Sequence, residues 1–414
     1  MKNKILHLSY DDFTGAGLAA LRFHNNLKKN NFVSYLLVNK KKSNSTNVIE
    51  ISKKNIFNHF LNKSEFFFLT ERNKYAFYNK NRYLINDINE INFFEKFKPD
   101  IVIFHWISNF INPILFKQIY KKYKCRVFWN IIDIAPLTGG CHINWGCINF
   151  KSTCNNCPAV GTLFQSRPKN TLKNKIEIFK NLKVNFLYTG KWMGKQIENS
   201  SIAKNHKSYK LMIPVDEKLF KPKPLIKRKN SWRINTKKKI ILFRSSSHLR
   251  KGIDILVSAI DHLINKSYFL KNKFCLLSIG DKFAEERLKN IDIEYINLGN
   301  IRSENKLSEV YQLSDIFVSP SIDDVGPMMI NEAVISGLPV VSFNIGVAED
   351  LIINKINGYI VKKKSYKYLS NSLKKYLNSS NEEINKMKKK SRAIGVEKTS
   401  LKKHIKIFNK IIKS

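Results

Sequence analysis

Short runs of consecutive apolar residues recur along this chain, each cut off by a glycine, a proline or a polar turn and followed by a stretch of helical spacing. Such runs lie at 4–9, 32–38, 48–52, 100–104, 126–132 and 185–189, and again at 240–243, 274–279, 295–298, 316–318, 338–343 and 358–361. Runs of this length without alternation predict strands buried on both faces, as in parallel sheets covered by helices. Between them, apolar residues at helical spacing predict a helix carrying Leu18, Leu21, Phe23 and Leu27, and others over 113–123, 171–182 and 192–199. A helix opening at Lys251-Gly252 carries Ile255, Leu256, Ala259 and Leu263; further helices are expected over 303–313, 328–336, 369–377, 382–392 and 400–412. The segment 346–352 is expected to complete the second sheet together with 358–361. Residues 56–84, rich in Phe, Tyr, Asn and Lys, are expected as an irregular helical excursion. Alternating strand and helix means an α/β class, and 414 residues are too many for one core, so two doubly wound domains are predicted.

The stretch 314–343, SDIFVSPSIDDVGPMMINEAVISGLPVVSF, gathers the candidate chemistry of the second half. Asp324 stands in a loop after a strand end, where parallel sheets place their ligands. Gly326 lets backbone N–H groups approach a ligand, and the helix start near Met328 favours an anion. Asp324-x7-Glu332, followed by Ala333 and Gly337-Leu338-Pro339-Val340-Val341, resembles the paired-acid signature of glycosyltransferase family 4. These are retaining, nucleotide-sugar-dependent enzymes of the GT-B fold; an ordinary αβ unit with solvated acids is the alternative.

The resemblance implies two Rossmann-like domains facing one another across a cleft. Residues 1–215 would form the acceptor-side domain, 216–238 a linker, 239–395 the nucleotide-sugar-binding domain, and 396–414 a helix crossing back to the first. It implies Glu332 on the nucleotide ribose, and Asp324 with the loop Gly326, Pro327, Met328 and Met329 at the sugar and diphosphate. Lys251 matches the family's diphosphate-binding lysine. The family's arginine position holds Ser246, which leaves Arg244 or Arg250 for that role. Asp324 stands where the family most often has Glu, and no Asn-Gly follows Ile213-Pro214. The loop at Gly299-Asn300-Ile301 is implied to face the base. Positive side chains and a helix dipole replace a cation in such sites, so no catalytic metal is expected.

Nearer the N-terminus the first strand feeds Asp11-Asp12-Phe13-Thr14-Gly15-Ala16-Gly17 and then a helix. Strand, small-residue loop and helix make an anion cradle, although a tight turn alone also calls for glycine. The family carries a glycine-rich loop here, which implies substrate contact at Gly15, Ala16 and Gly17. The strand 100–104 ends at His105-Trp106, and 126–132 leads into Asp133 and Thr138-Gly139-Gly140-Cys141-His142. That last block resembles a family 4 subgroup acting in bacterial exopolysaccharide and surface-glycan synthesis, which implies His105, Asp133 and His142 at the substrate. The family has His just before this Asp, where the chain has Ile132. A scaffold that binds nucleotide sugar without turnover is therefore the second reading. Cys141, Cys147, Cys154 and Cys157 lie within 17 positions. Four thiolates at short spacing suit a structural zinc that pins the loop, with free packed thiols or two disulfides as the alternative. Cys125 and Cys275 read as small buried residues.

Charge narrows the partners. The chain has 73 Lys+Arg against 32 Asp+Glu, a formal charge of +41. Its surplus reflects the Lys-, Asn- and Ile-rich composition of an AT-rich coding sequence, attraction to an anionic membrane or phosphate-bearing substrate, or nucleic-acid binding. The last ranks lowest, because the lysines are spread and no nucleic-acid-binding signature accompanies them. No secretory signal is read at the start, and no apolar run approaches the ~18 residues needed to span a bilayer. A cytoplasmic protein is expected, peripheral on the inner face of the plasma membrane if the charge serves lipid, with aromatics in 64–78 assisting. Six cysteines in such a chain argue against a disulfide framework. The expected function is retaining transfer of a sugar from a nucleotide-sugar donor to a hydroxyl of a lipid-linked or surface glycan acceptor. Exopolysaccharide, capsule, O-antigen or lipopolysaccharide synthesis would use such a step.

Overall fold

A computed structural model of the chain describes residues 3–51, 72–75, 83–223, 232 and 237–414. The chain divides into two compact units, one of Met1–Met212 with Ile407–Ser414, the other of Ile213–Lys406. Among the described residues each unit is built on one parallel sheet. The first contains β1 (Lys4–Asp11), β2 (Val33–Lys40), β3 (Val48–Glu50), β4 (Ile101–Phe104), β5 (Arg126–Ile131), β6 (Val184–Tyr188) and β7 (Ser208–Lys210). Its order is β3-β2-β1-β4-β5-β6-β7. The second contains β8 (Lys239–Ser245), β9 (Phe274–Gly280), β10 (Tyr295–Asn297), β11 (Ile316–Ser319), β12 (Val340–Phe343) and β13 (Gly358–Val361), in the order β10-β9-β8-β11-β12-β13. All pairings between these strands are parallel.

The continuous apolar runs explain this arrangement. Every residue of β4, β9, β11 and β12 is buried, so both faces of those strands need a helical cover. In each sheet the chain starts in the middle, works outward, and then returns to the other side of its first strand. The order reverses between β1 and β4 and between β8 and β11. At such a reversal the loops leaving the two strand ends diverge and leave a crevice for ligands.

Local capping fixes the helix starts. Thr14 caps Gly15–Lys29, Ser303 caps Glu304–Leu313, and Ser380 with Glu383 forms a capping box on Asn381–Thr399. Three expectations change. The helix expected at 171–182 is Ser166–Phe179, because Pro168 fits the first turn of a helix rather than ending one. Residues 346–352 do not join the sheet; they contain the short helix Ala348–Leu351. The helix expected to stop at 392 continues to Thr399. Gly395 sits within it because a Cβ there would press into the backbone of Ile335, so this glycine serves close helix packing and not a helix stop.

Residues 216–223 group with the second unit, where Arg392 donates to the carbonyls of Glu217 and Phe220 at 2.8 and 2.7 Å. At the other end, Arg126 donates to the Ile412 carbonyl at 2.6 Å and Phe408 meets Phe23 edge-on, both within the first unit. The excursion expected at 56–84 lies outside the described residues except for 72–75 and 83–84, and the aromatics of 64–78 except for 72–75. Among the described residues no helix is long and apolar enough to cross a membrane.

Buried histidines make the fold sensitive to acid. His105 lies between His7 Nδ1 at 2.9 Å and Asn130 Nδ2 at 3.1 Å, and His24 Nδ1 lies 2.7 Å from Ser34 Oγ. Burial pulls His24, His105 and His404 down from 6.5 to about 3. These rings stay neutral in the fold and take protons on unfolding, so the unfolded chain binds more protons between the two values. We expect these histidines to contribute no slope in Tm above about pH 6.5 and to lower Tm as the pH drops from there toward about 3. His404→Gln should flatten that slope in thermal melts. A slope unchanged by removing His404 would contradict its neutral burial.

Candidate active site

The reversal between β8 and β11 brings two loops together in the second unit. After β8 comes the 3-10 turn Leu249–Lys251, and Gly252 at φ 66 starts the helix Ile253–Lys266. A Cβ at Gly252 would collide with the Pro320 carbonyl, so this position requires glycine twice over. After β11, the Ile322 N–H donates to the Arg250 carbonyl at 2.8 Å and ties the loops together. Asp324 then meets both cations: its Oδ2 accepts from Arg250 Nη1 at 2.8 Å and from Lys251 Nζ at 2.5 Å. The Gly326 N–H approaches its other oxygen at 3.4 Å. Burial alone pushes this carboxyl up, but Lys251, Arg250 and these hydrogen bonds outweigh it and hold Asp324 at about 2. Burial pulls Lys251 down, and Asp324 opposes that pull. Arg244 is exposed near the end of β8.

Pro327 precedes the helix Met328–Ile335, which has no side-chain cap at its N-terminus, so its first N–H groups face the loop of Asp324. Met328 is half-buried and Met329 buried. Glu332, on the second turn of this helix, is 1% exposed, and its Oε2 accepts from Tyr311 OH at 2.7 Å. Tyr311 and Asp281 are contributors that the sequence does not flag. Asp281 accepts from the Ser247 N–H at 2.9 Å and Ser245 Oγ at 3.0 Å, which fixes the path of the loop after β8. Both residues come from distant segments, and no local motif surrounds either.

In the first unit, Gly15, Ala16 and Gly17 open the helix Gly15–Lys29. The N–H groups of Phe13 and Thr14 and the Thr14 hydroxyl all donate to Asp11 Oδ1, and the Gly17 N–H donates to Thr14 Oγ1. A Cβ on Gly17 would strike Asp11. The negative charge favoured at this helix start is thus supplied from within the chain.

The loop after β5 is held by charge as well. His142 Nδ1 lies 2.6 Å from Asp133 Oδ2, a contact made by Nδ1–H donating to the carboxylate, and Trp106 Nε1, itself a donor, stands 3.0 Å from the same nitrogen in van der Waals contact. Lys175, from the helix Ser166–Phe179, donates to the carbonyls of Ala135 and Thr138 at 2.7 and 2.9 Å, and burial pulls its pKa down to about 8. A cavity of about 40 Å³ is lined by His105, Trp106, Ile132, Asp133, Gly140 and Lys175, among others. The structure therefore brings His105 and Asp133 to one cavity, with His142 bonded behind Asp133. Lys175 and Trp106 join them unannounced by any motif.

All four clustered cysteines line one cavity of about 10 Å³ beside Tyr75 and Phe150. They are free thiols. The Gly139 N–H donates to Cys154 Sγ at 3.3 Å, and burial raises the thiols of Cys141, Cys154 and Cys157. Among the described residues no three His, Cys, Asp or Glu side chains converge on a point where one ion is held, so the thiols as placed are not a formed metal site.

Residues 226–394 match the family described as Glycosyl transferases group 1. No curated protein matches the chain. Among solved structures it is similar to sucrose-phosphate synthase from Thermosynechococcus elongatus, at 13% identity and a TM-score of 0.71 over 100% of this chain and 98% of that one. It is also similar to HepE from Anabaena in complex with UDP and glucose, at 13% identity and 0.69 over 100% of both. A third is WaaG, a glycosyltransferase involved in lipopolysaccharide biosynthesis, at 14% identity and 0.64 over 99% and 100%. At these identities the likeness is one of fold. Residues 226–394 thus match a glycosyl transferases group 1 domain, and the chain has a two-sheet α/β fold shared with GT-B glycosyltransferases.

The ion cluster yields a test. Asp324→Asn leaves the half-buried ammonium of Lys251 without its carboxylate, and should cost about 2 kcal/mol of stability in denaturant titrations. Turnover should fall on the order of 100-fold. Adding Lys251→Met should restore stability without restoring activity. Recovery of both, or of neither, would contradict the assignment.

Proposed function

We propose that this chain moves a sugar, with retention, from a nucleotide-sugar donor to a hydroxyl of a glycan acceptor. The observation that carries the reading is the Arg250–Lys251–Asp324 cluster at the order reversal of the sheet in the matched domain. Transfer breaks the bond from the anomeric carbon to the diphosphate oxygen, and that electron pair leaves with the diphosphate. The acceptor oxygen bonds on the same face, and its proton passes to the departing oxygen. Negative charge therefore grows on the diphosphate, where Lys251, Arg250 and the start of Met328–Ile335 would neutralise it. Asp324 keeps both cations in place between turnovers, and in this reading it meets the sugar together with Gly326, Pro327, Met328 and Met329. Glu332 is assigned to the nucleotide ribose, its carboxylate oriented by Tyr311. Gly15, Ala16, Gly17, His105, Asp133 and His142 are assigned to the acceptor side.

The complex of HepE with UDP and glucose supports a nucleotide-sugar donor, and the part that WaaG plays in lipopolysaccharide biosynthesis supports a lipid-linked or surface glycan as acceptor. A second reading, a scaffold that binds nucleotide sugar without turnover, draws on Ile132, which lines the first-unit cavity where the family places a histidine. A panel of nucleotide sugars separates the two. Release of nucleoside diphosphate, lost in Lys251→Ala, supports transfer; binding without release supports the scaffold.

For the loop 141–157 we retain structural zinc as a proposal. Binding would draw the four thiols inward from their present positions around the small cavity. Purified protein should carry about one zinc per chain, lost in Cys154→Ser with Cys157→Ser. Six freely titratable thiols in metal-free folded protein would rule it out.

A further inference from the structure

Large aromatic side chains are costly to leave in water, and the second unit leaves four of them exposed on two elements packed against each other. Tyr268 is 66% exposed and Phe269 58%, on the 3-10 turn that follows the helix Ile253–Lys266. Tyr366 at 37% and Tyr368 at 45% stand at the start of the helix Tyr366–Asn378. The two helices are packed together. Tyr366 meets His262 edge-on at 5.4 Å, Lys374 Nζ donates to Ser267 Oγ at 2.9 Å, and Leu263, Leu369 and Leu373 share one core beneath. The aromatic residues therefore lie on the outer side of a rigid pair of elements.

The charge around them is mostly positive. Segments 262–273 and 362–375 contain nine lysines and no acid. Asp292 pairs with Lys271, and Asp261 accepts from Asn265 at the margin. A lysine ammonium lies over each ring: Lys271 over Tyr268, Lys273 over Phe269, Lys367 over Tyr366 and Lys363 over Tyr368, at 5.1 to 5.9 Å. Aromatic rings interleaved with lysines suit the headgroup layer of an anionic bilayer, where rings settle among glycerol and carbonyl groups and ammonium groups reach phosphate.

We propose that this face of the second unit, formed by Tyr268, Phe269, Tyr366 and Tyr368 with the surrounding lysines, docks on an anionic lipid surface. A second copy of the chain is disfavoured, because two lysine-rich faces of net positive charge repel each other. Base stacking on nucleic acid would first have to displace the lysine from a ring face, whereas lipid headgroups use rings and lysines as they stand. Attachment is peripheral, set by electrostatics and shallow aromatic insertion. It is independent of the transfer chemistry, so the two readings stand or fall separately.

The test is co-sedimentation of the full chain with vesicles of phosphatidylcholine alone or mixed with phosphatidylglycerol, at low salt and raised salt. The chain should bind only the mixed vesicles and be released as salt rises. Replacing Lys362, Lys363 and Lys364 by Gln should weaken that binding on the order of 100-fold. The same change at Lys386, Lys389 and Lys390, on a different helix, should weaken it far less. Tyr268→Ser, Phe269→Ser, Tyr366→Ser and Tyr368→Ser together should also lose vesicle binding, with circular dichroism and donor binding retained. Equal losses in the two lysine variants would mean that the whole surface attracts lipid, and would overturn the proposal. So would binding to phosphatidylcholine alone, or a quadruple variant that loses duplex DNA while keeping vesicles.

Discussion

One carboxylate shared by two cations sets the terms for the second unit. Asp324 lies at the end of a loop that leaves β11, and Arg250 and Lys251 lie at the end of the loop that leaves β8. Both loops have left the strand ladder; Asp281 holds the path of the one after β8, and the Ile322 N–H on the Arg250 carbonyl ties the other to it. The ion cluster joins the loops, and it does so at the place where the reversal of strand order opens a crevice. Its electrostatics also suit ligand chemistry. With one carboxylate against two cations the cluster keeps net positive charge, and the Asp324 carboxyl at about 2 stays ionised across the physiological range. On the proposed reading, an incoming diphosphate would meet cations already in position, with little reorganisation left for the reacting complex.

The first unit uses the same physical device with different residues. Asp11 gathers two backbone N–H groups and a hydroxyl at the start of Gly15–Lys29, and Asp133 orients His142. Asp12 receives the N–H groups of Lys42 and Ser43. Lys175 works in the opposite sense and holds two carbonyls of the loop after β5. In a chain with 32 acids against 73 Lys+Arg, acids at such places are engaged by backbone N–H groups or buried cations. Most lysines consequently face water without a carboxylate partner, which gives the surface its one-signed field.

Fold class was legible in the sequence because buried parallel strands need both faces apolar, and that requirement writes itself as short unbroken runs. The runs at 100–104, 240–243, 274–279 and 338–343 each hold such a strand. Helix boundaries were less legible. One helix runs past its expected end at 392 through Gly395, which serves close packing on Ile335, and another starts before its expected 171 with Pro168 in its first turn. Local rules describe what a residue permits, and the neighbours decide which of those permissions is used.

The candidate site divides along the same line. Asp324, Gly326 and Glu332 were visible because loop, glycine and helix start are consecutive in sequence, while their roles and that of Lys251 came from the family resemblance. The sequence by itself also determined the cysteine cluster, the glycine-rich start of the first helix and the positive charge. Only the tertiary structure decided which cation Asp324 meets, selecting Arg250 beside Lys251 and leaving Arg244 exposed. It alone brought Tyr311 to Glu332, Lys175 to the loop after β5, and two lysine-rich segments a hundred residues apart into contact through Tyr366 on His262 and Lys374 on Ser267. The reason is physical: a hydrogen bond or ion pair depends on separations of a few ångströms, and contacts between distant segments are fixed by how the sheets order their strands, which no local pattern encodes.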